Sequence, residues 1–142
     1  LANSELAKMI KEASQRGVRV NFILGEPAKY PKFHYSSYYG AKSILDAGGK
    51  VWIHQSGNSP LHYKTILVDG NLVEVGSANL NFRSYHLSKE VCLVIEDKAS
   101  AEKIKATLQG ILENSREMAS HEAHSYRNPR YFLGWLLMQL GG

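Results

Sequence analysis

Hydrophobic positions in the first half of the chain switch between helical and strand periods. A first helix is predicted between Ser4, a good N-cap, and Gly17, a good C-cap. The apolar positions that carry its period are Leu6, Met9, Ile10 and Ala13. The segments that follow predict, in order, a buried strand, a loop with two prolines, a helix and a short strand: 18–24, 25–35, 37–48 and 50–54.

The second half of the chain is richer in strand signals. Two apolar runs flank Asp69-Gly70-Asn71, which is a strong signal for a hairpin turn. A fifth strand is expected over 90–96, and a long amphipathic helix after Asp97. Several strands are apolar on both faces, so we predict an α/β fold with a mixed β-sheet flanked by helices on both faces.

The chain divides by pattern into a main unit, 1–119, and a C-terminal tail, 120–142, that ends in a short apolar helix. A dozen apolar residues of this kind more often pack against their own core or a partner domain than against a membrane, although peripheral membrane contact fits the same pattern. The chain opens without an initiator Met, which suggests a part of a longer protein.

Composition excludes only a few classes of function. A hydrophobic fraction of 44% in 142 residues is enough for about one domain with its own core. The single cysteine, Cys92, excludes a disulfide framework and a zinc site built from paired cysteines. A net charge of +4 favours anionic partners such as phosphates, nucleic acid or an acidic membrane surface. No apolar run reaches the roughly 20 residues that a membrane-spanning helix needs.

The predicted hairpin gathers polar side chains where strand residues are usually apolar: His62, Lys64, Ser77 and Asn79. Residues two apart share one face of a strand, at roughly 7 Å. A turn centred on 70–71 sets Lys64 opposite Ser77 and His62 opposite Asn79, whereas a turn centred on 69–70 sets His62 opposite Ser77. Both registers bring the four side chains together, and Gly76 leaves room for a close approach.

These groups suit a phosphate. Lys64 supplies a point charge, and Ser77 and Asn79 supply hydrogen-bond donors. A neutral His62 could attack phosphorus if an acceptor held its other ring nitrogen, and Glu90 is the candidate for that acceptor. Taken singly, a strand histidine is usually structural and a lysine usually reaches solvent. Four such groups on one face favour a binding site, because burying them without a function is costly.

The spacing of these residues resembles a known family signature. His62-x-Lys64-x4-Asp69, followed after six residues by Gly76-Ser77-x-Asn79, is similar to the HKD motif of the phospholipase D superfamily. The likeness runs from Arg16 to Glu90 and is strongest to the C-terminal half of bacterial cardiolipin synthases. Three positions depart from that pattern: Asn81 stands where Asp is usual, and Ser88-Lys89 stands where Asn-Phe is usual.

The resemblance implies a phospholipase D-like HKD half, with two such halves forming one site that uses neither a metal nor another cofactor. His62 is then nucleophile or general acid, with Glu90 orienting it. Lys64 and Asn79 bind phosphate with the support of Ser77. Asp69 matches the Asp of the motif and is counted among the catalytic residues with His62, Lys64 and Glu90; because the predicted hairpin sets it at the turn, its expected role is structural or indirect, through stabilisation of the turn and polarisation.

The partners implied are a phospholipid with an anionic head group and a second HKD half, either from a missing N-terminal region or from a second copy of the chain. The implied location is bacterial, at the cytoplasmic side of the inner membrane. The chain holds one HKD motif, because the histidines at 34, 54 and 86 lack the following lysine, and His121 and His124 have no zinc-site spacing and are expected to be solvated.

The activity that the resemblance implies is phosphodiester transfer or hydrolysis through a phosphohistidine intermediate, above all phosphatidyl transfer on phospholipids. Two alternatives to this function remain open. The first is a homodimeric single-HKD nuclease that cleaves DNA or RNA, which the basic charge and the size favour. Its nucleic-acid track would use basic and aromatic residues near the 25–40 loop: Lys29, Lys32, Tyr35, Tyr38 and Tyr39. The second is a non-catalytic scaffold, which is disfavoured because both His62 and Lys64 are present.

Overall fold

The computed structural model describes residues 4–26, 31–55, 57 and 61–141. Over these ranges the helices are α1 Ser4–Gln15, α2 Pro31–Asp46, α3 Phe82–His86, α4 Lys98–Glu113, α5 Ser120–Ser125 and α6 Pro129–Gly141. The strands are β1 Asn21–Gly25, β2 Lys50–His54, β3 Thr65–Val68, β4 Leu72–Gly76, β5 Cys92–Glu96 and β6 Ser115–Glu117.

The first sheet has the strand order β1-β2-β6. Strands β1 and β2 are parallel and joined through α2, while β6 runs antiparallel to β2. One face carries the main core, in which Leu24, Val51 and Ile53 pack with buried residues of α1 and α2. Gly49 lets α2 come close, since a Cβ there would lie 2.9 Å from Cγ2 of Ile44.

The second sheet is an antiparallel meander, β3-β4-β5. Its inner face is anchored by the fully buried Val73, and α4 contacts all three strands as well as β2 and β6 of the first sheet. Asp97 caps α4 by accepting a 2.7 Å hydrogen bond from the Ser100 N–H. The opposite face leaves Ile66, Val68 and Val94 exposed.

The predicted α/β class is confirmed, with the strands divided between two small sheets. The loop expected over 25–35 is wrong from Pro31 onward, because α2 begins there, and proline is well suited to a first helical turn. Helix α3 and strand β6 were not predicted, since five and three residues are too few to display a period.

The tail packs against α2. Ala123 of α5 joins the main core, and aromatic rings of α6 meet those of α2, with Tyr39 centred 5.3 Å from Trp135 and Tyr35 centred 5.3 Å from Tyr131. The expectation that the tail docks onto its own core is confirmed for this side of α6. His121 and His124 are exposed, as expected. None of the described helices is both long and apolar enough to cross a membrane.

Candidate active site

The hairpin forms as predicted, but its register is neither of the two expected. Asp69 and Gly70 both take positive φ angles, 51° and 68°, and the Asn71 N–H closes the turn on the Val68 carbonyl at 3.1 Å. Val68 also pairs with Leu72, so Asn71 is an extra residue on its strand. This insertion shifts every later pair by one position relative to the predicted registers.

The shift changes which residues face each other. The Gly76 N–H donates to the Lys64 carbonyl at 3.2 Å, so Lys64 lies opposite Gly76 and not opposite Ser77. The predicted pairs of His62 with Asn79 or Ser77 are wrong for the same reason. Strand β3 begins only at Thr65, so His62 lies just before the strand and not within it. The hairpin therefore does not pair the four polar residues with one another as predicted.

His62 and Lys64 touch through their side chains. Nζ of Lys64 lies 2.9 Å from Nε2 of His62 and 3.4 Å from the His62 carbonyl oxygen. An ammonium can only donate, so Nε2 is the acceptor and the ring proton belongs on Nδ1. A Cβ on Gly25 would lie 3.3 Å from Cβ of Leu61, which places the neighbouring His62 near the carboxyl end of β1. That edge is where ligands bind in many α/β sheets.

Glu90 is held by two serines. Its Oε2 accepts a 2.5 Å hydrogen bond from the Ser77 hydroxyl, and its Oε1 accepts one of 2.7 Å from the Ser84 hydroxyl. These bonds, with Ser77 the larger cause, lower the pKa of Glu90 below its ordinary value, and the charges of Arg83 and Lys64 lower it further. A carboxylate at this position is thus ionised over the whole neutral range.

The turn after Ser77 is built on Ser84. Its hydroxyl accepts a 3.1 Å hydrogen bond from the Asn79 N–H, and the Asn79 carbonyl accepts one of 2.8 Å from the Asn81 N–H. Asn81 in turn caps α3, because its Oδ1 accepts from the Ser84 N–H at 2.9 Å. An Asp at 81 presents the same oxygen, so this departure from the cardiolipin synthase pattern preserves the cap.

Ser84 was not among the predicted site residues. The signal that could have found it is the Asn81-x-x-Ser84 spacing, which is that of a helix N-cap and its N3 residue. Ser84 is buried, whereas His62, Ser77 and Asn79 are exposed and Lys64 is half-buried. The catalytic and phosphate-binding roles of these residues remain predictions.

Glu90 and Asp69 lie in different settings. Within the described part of the chain, the carboxylate of Glu90 bonds Ser77 and Ser84, and the ring of His62 contacts Lys64. The orienting role of Glu90 toward His62 therefore stays a prediction. Asp69 is exposed at the tip of the turn, a position that fits a structural role. Among the described residues, no group of three or more His, Cys, Asp or Glu side chains could hold a metal ion.

Two groups of polar residues could form an anion site. One is the Lys64 ammonium with the His62 imidazole. The other is the turn of hydroxyl and amide groups held by the ionised carboxylate of Glu90, on which the charge of Lys64 acts. Such groups can bind a phosphodiester and present a nucleophilic ring nitrogen to it.

The solved structures most useful for comparison share the fold. The chain superimposes on Nuc, a phospholipase D family member from Salmonella typhimurium, with a TM-score of 0.63, 24% identity and coverage of 80% of this chain and 73% of Nuc. It also superimposes on NucT from Helicobacter pylori, with a TM-score of 0.58, 23% identity and coverage of 82% and 76%.

Sequence relatives point to one family. The chain is 36% identical over 109 residues to a cardiolipin synthase of Staphylococcus aureus strain N315, covering 77% of this chain and 22% of that protein. It is 30% identical over 128 residues to cardiolipin synthase 2 of Bacillus cereus, covering 89% and 24%. The chain thus spans about a quarter or less of the curated relatives that it matches. A family model described as "Cardiolipin synthase, PLD-like domain" matches residues 1–112, and the chain therefore belongs to this family of phospholipase D-like enzymes.

Proposed function

We propose that this chain supplies one HKD half of an enzyme that transfers phosphatidyl groups between alcohols, with an anionic phospholipid as substrate. The observation that carries the proposal is the contact of Lys64 Nζ with His62 Nε2, in a chain that is 36% identical to a cardiolipin synthase. The contact joins the two residues that phosphoryl transfer to histidine requires, a nucleophilic nitrogen and a cation for the phosphate oxygens.

The proposed reaction has two displacements at phosphorus. In the first, Nε2 of His62 forms a bond to phosphorus, the bond to the leaving alcohol breaks, and a histidine of the second half donates its proton to that alcohol. In the second, the same histidine takes the proton of an acceptor alcohol or water, whose oxygen displaces Nε2. If the two histidines exchange these roles, the histidine of the second half is the nucleophile and His62 serves as the general acid and base.

The other residues act on the phosphate. Lys64 already donates to Nε2, so a bound phosphate oxygen draws the ammonium away from the ring and frees the lone pair for attack. Asn79 binds a remaining oxygen, and Ser77 supports this turn, because its one hydroxyl proton is donated to Glu90 at 2.5 Å. In this arrangement Glu90 acts on the phosphate-binding turn.

The second half and the location are part of the same proposal. One HKD motif provides one histidine, so a second half comes from the rest of a longer chain, as the relatives' length supports, or from a second copy. The relatives are bacterial proteins. We place this enzyme at the cytoplasmic side of the inner membrane, in peripheral contact with it, because its substrate is a membrane lipid.

A homodimeric nuclease is the second candidate. The observation in its favour is the likeness of fold, because the chain superimposes on 73% of Nuc with a TM-score of 0.63. The structure gives less support to the predicted aromatic track for nucleic acid. Tyr38 is fully buried and Tyr35 and Tyr39 pack against the tail, while Lys29 and the side chain of Lys32 lie outside the described residues.

The test measures native mass by light scattering together with product release from phosphatidylglycerol and from a single-stranded oligonucleotide. The chain is assayed alone and co-expressed with the N-terminal half of a cardiolipin synthase. Turnover of phosphatidylglycerol that is lost in His62→Ala and kept in His121→Ala, an exposed tail histidine, is the expected result. A two-fold dimer that cleaves only the oligonucleotide would replace the proposal with the nuclease.

A further inference from the structure

Helix α6 has two apolar sides, and only one of them is covered. Tyr131 and Trp135 face α2, where their rings meet Tyr35 and Tyr39. The α6 outer face, defined as Leu133, Leu136 and Leu137, is exposed, with Leu133 and Leu137 each 59% accessible, while the half-exposed Phe132 beside it contacts Tyr39 of α2 with ring centres 5.8 Å apart. Residues three and four positions apart lie on one side of a helix, so these side chains form a continuous stripe.

A helix that is apolar all round is normally buried on every side. The outer face is not a scatter of single exposed residues, since three leucines adjoin within five positions of the helix. Contiguous patches of this kind mark a surface that binds another apolar phase or molecule. We therefore expect the α6 outer face to be covered by a binding partner.

The position of α6 relates that partner to the phosphate site. Helix α3 contacts α6. It follows directly after the Asn79–Asn81 turn, and Tyr85 and Leu87 at its end are also exposed. The apolar surface thus borders the segment that is proposed to bind a lipid phosphate.

The two chain segments that form this surface carry cations and no carboxylate, although Glu5 of α1 lies 4.0 Å from His86 of α3. Residues 75–89, which include α3, and residues 123–142, which include α6, contain no Asp or Glu. They carry four cations, Arg83, Lys89, Arg127 and Arg130. Arg127 is held over the Tyr39 ring at 4.6 Å, and Arg130 is exposed at the first turn of α6. An apolar stripe with a basic border complements an acidic lipid surface, because its leucines enter the acyl boundary while its cations meet the phosphates.

We propose that the α6 outer face docks this protein onto an anionic phospholipid surface, with α6 lying in the plane of the interface. The inference rests on the proposed function, which supplies the lipid substrate, and adds to it the surface that brings the site to the membrane. Docking through α6 sets the neighbouring Asn79–Asn81 turn at head-group depth, so a lipid phosphate is bound without removal of the lipid from the bilayer.

The experiment measures co-sedimentation of the full chain with vesicles, which needs no turnover. Vesicles of phosphatidylglycerol with phosphatidylcholine are compared with vesicles of phosphatidylcholine alone. We expect binding to the first only, a loss of about tenfold or more in Leu133→Gln/Leu137→Gln, and a smaller, salt-dependent loss in Arg130→Gln. The matched control, Val91→Gln/Leu93→Gln, removes two exposed apolar residues of the β5 region and should bind as the parent does.

Circular dichroism and thermal unfolding establish that each variant is folded. We expect them to fold, because the substituted side chains are exposed. Equal binding of the parent and the α6 variant would overturn the proposal, as would absence of vesicle binding by the parent. The face would instead be assigned to a second copy of the chain if the parent self-associates, Leu133→Gln/Leu137→Gln is monomeric, and neither protein binds vesicles. Vesicle binding without turnover of phosphatidylglycerol, when the chain is co-expressed with the N-terminal half of a cardiolipin synthase, would keep the docking surface and reject the proposed reaction.

Discussion

The hydroxyl of Ser84 donates a 2.7 Å hydrogen bond to Oε1 of Glu90 while accepting one of 3.1 Å from the Asn79 N–H. A residue outside the HKD motif thus joins the carboxylate at the start of the β5 region to the backbone of the proposed phosphate-binding turn. Because a hydroxyl has a single proton, Ser84 can donate only to Glu90 and must act as the acceptor toward the Asn79 N–H. The turn and the carboxylate are positioned together.

Ser84→Ala is expected to loosen this turn and to raise the pKa of Glu90 toward its ordinary value. The substitution removes the second of the two hydrogen bonds that favour the ionised form and leaves the Asn79 N–H without its partner, so the free energy of unfolding should fall. A carboxyl with a lowered folded pKa stabilises the fold above its unfolded pKa and loses that contribution as the pH falls through the folded value. The variant should therefore lose this stabilisation at a higher pH.

Carbon-13 NMR titration of the Glu90 carboxyl measures the pKa directly, and urea unfolding at several pH values measures the stability. Ser88→Ala is the matched control, because the described hydrogen bond of Ser88 is made by its backbone N–H to Arg83. An unchanged Glu90 titration in Ser84→Ala would contradict the assigned role.

Gly76→Ala should destabilise the second sheet. A Cβ at this position would clash with the Val91 carbonyl oxygen and lie 2.7 Å from Sγ and 2.8 Å from Cα of Cys92. Backbone atoms cannot move aside cheaply, so β4 and β5 must separate, at a cost of about 1–3 kcal/mol or more. Urea denaturation of Gly76→Ala against Gly110→Ala, where a Cβ would meet open space, measures the difference. Equal urea midpoints for the two variants would show that β4 and β5 separate without loss of stability and would contradict the prediction.

The Arg116–Glu122 pair should be worth more than the other surface ion pairs. Its two hydrogen bonds of 2.7 Å are bidentate, and the side chains are only 46% and 22% exposed. The hydrogen bonds from Arg116 lower the pKa of Glu122, so the pair stabilises the fold at neutral pH and less so as the pH falls through that lowered value. Arg116→Ala is expected to cost about 1 kcal/mol at neutral pH, allowing for solvent screening.

Lys8→Ala is the comparison for this pair. The Lys8–Glu12 contact is 3.9 Å long and Lys8 is 78% exposed, so its loss should leave the unfolding free energy unchanged within error. Urea unfolding of both variants at neutral and at acidic pH gives the test. The Arg116 proposal fails if the two variants lose equal stability or if the Arg116 effect grows on acidification.

The sequence predicts some parts of this fold better than others for physical reasons. The strand at 50–54 and the helix after Asp97 were predicted because burial and capping leave strong local signals. The hairpin register was missed because it depends on the positive φ angle of Asp69, which makes Asn71 an extra residue, and composition does not reveal that angle. Ser84 was missed because its role depends on contacts across the turn with Asn79 and Glu90.

The contact between Lys64 and His62 should fix the tautomer of the histidine. With Nζ donating to Nε2 at 2.9 Å, the neutral ring carries its proton on Nδ1, which leaves Nε2 as the nucleophile. Lys64→Met keeps the length of the side chain but removes the donor, so the neutral ring should shift toward a mixture in which Nε2 carries the proton. Nitrogen-15 NMR of labelled His62, recorded at a pH where the ring is neutral, reports the two tautomer populations without any need for turnover. Lys64→Arg keeps a donor and should keep the Nδ1–H form, whereas an identical tautomer in Lys64→Met would show that another group holds the ring and that Lys64 acts on the phosphate alone.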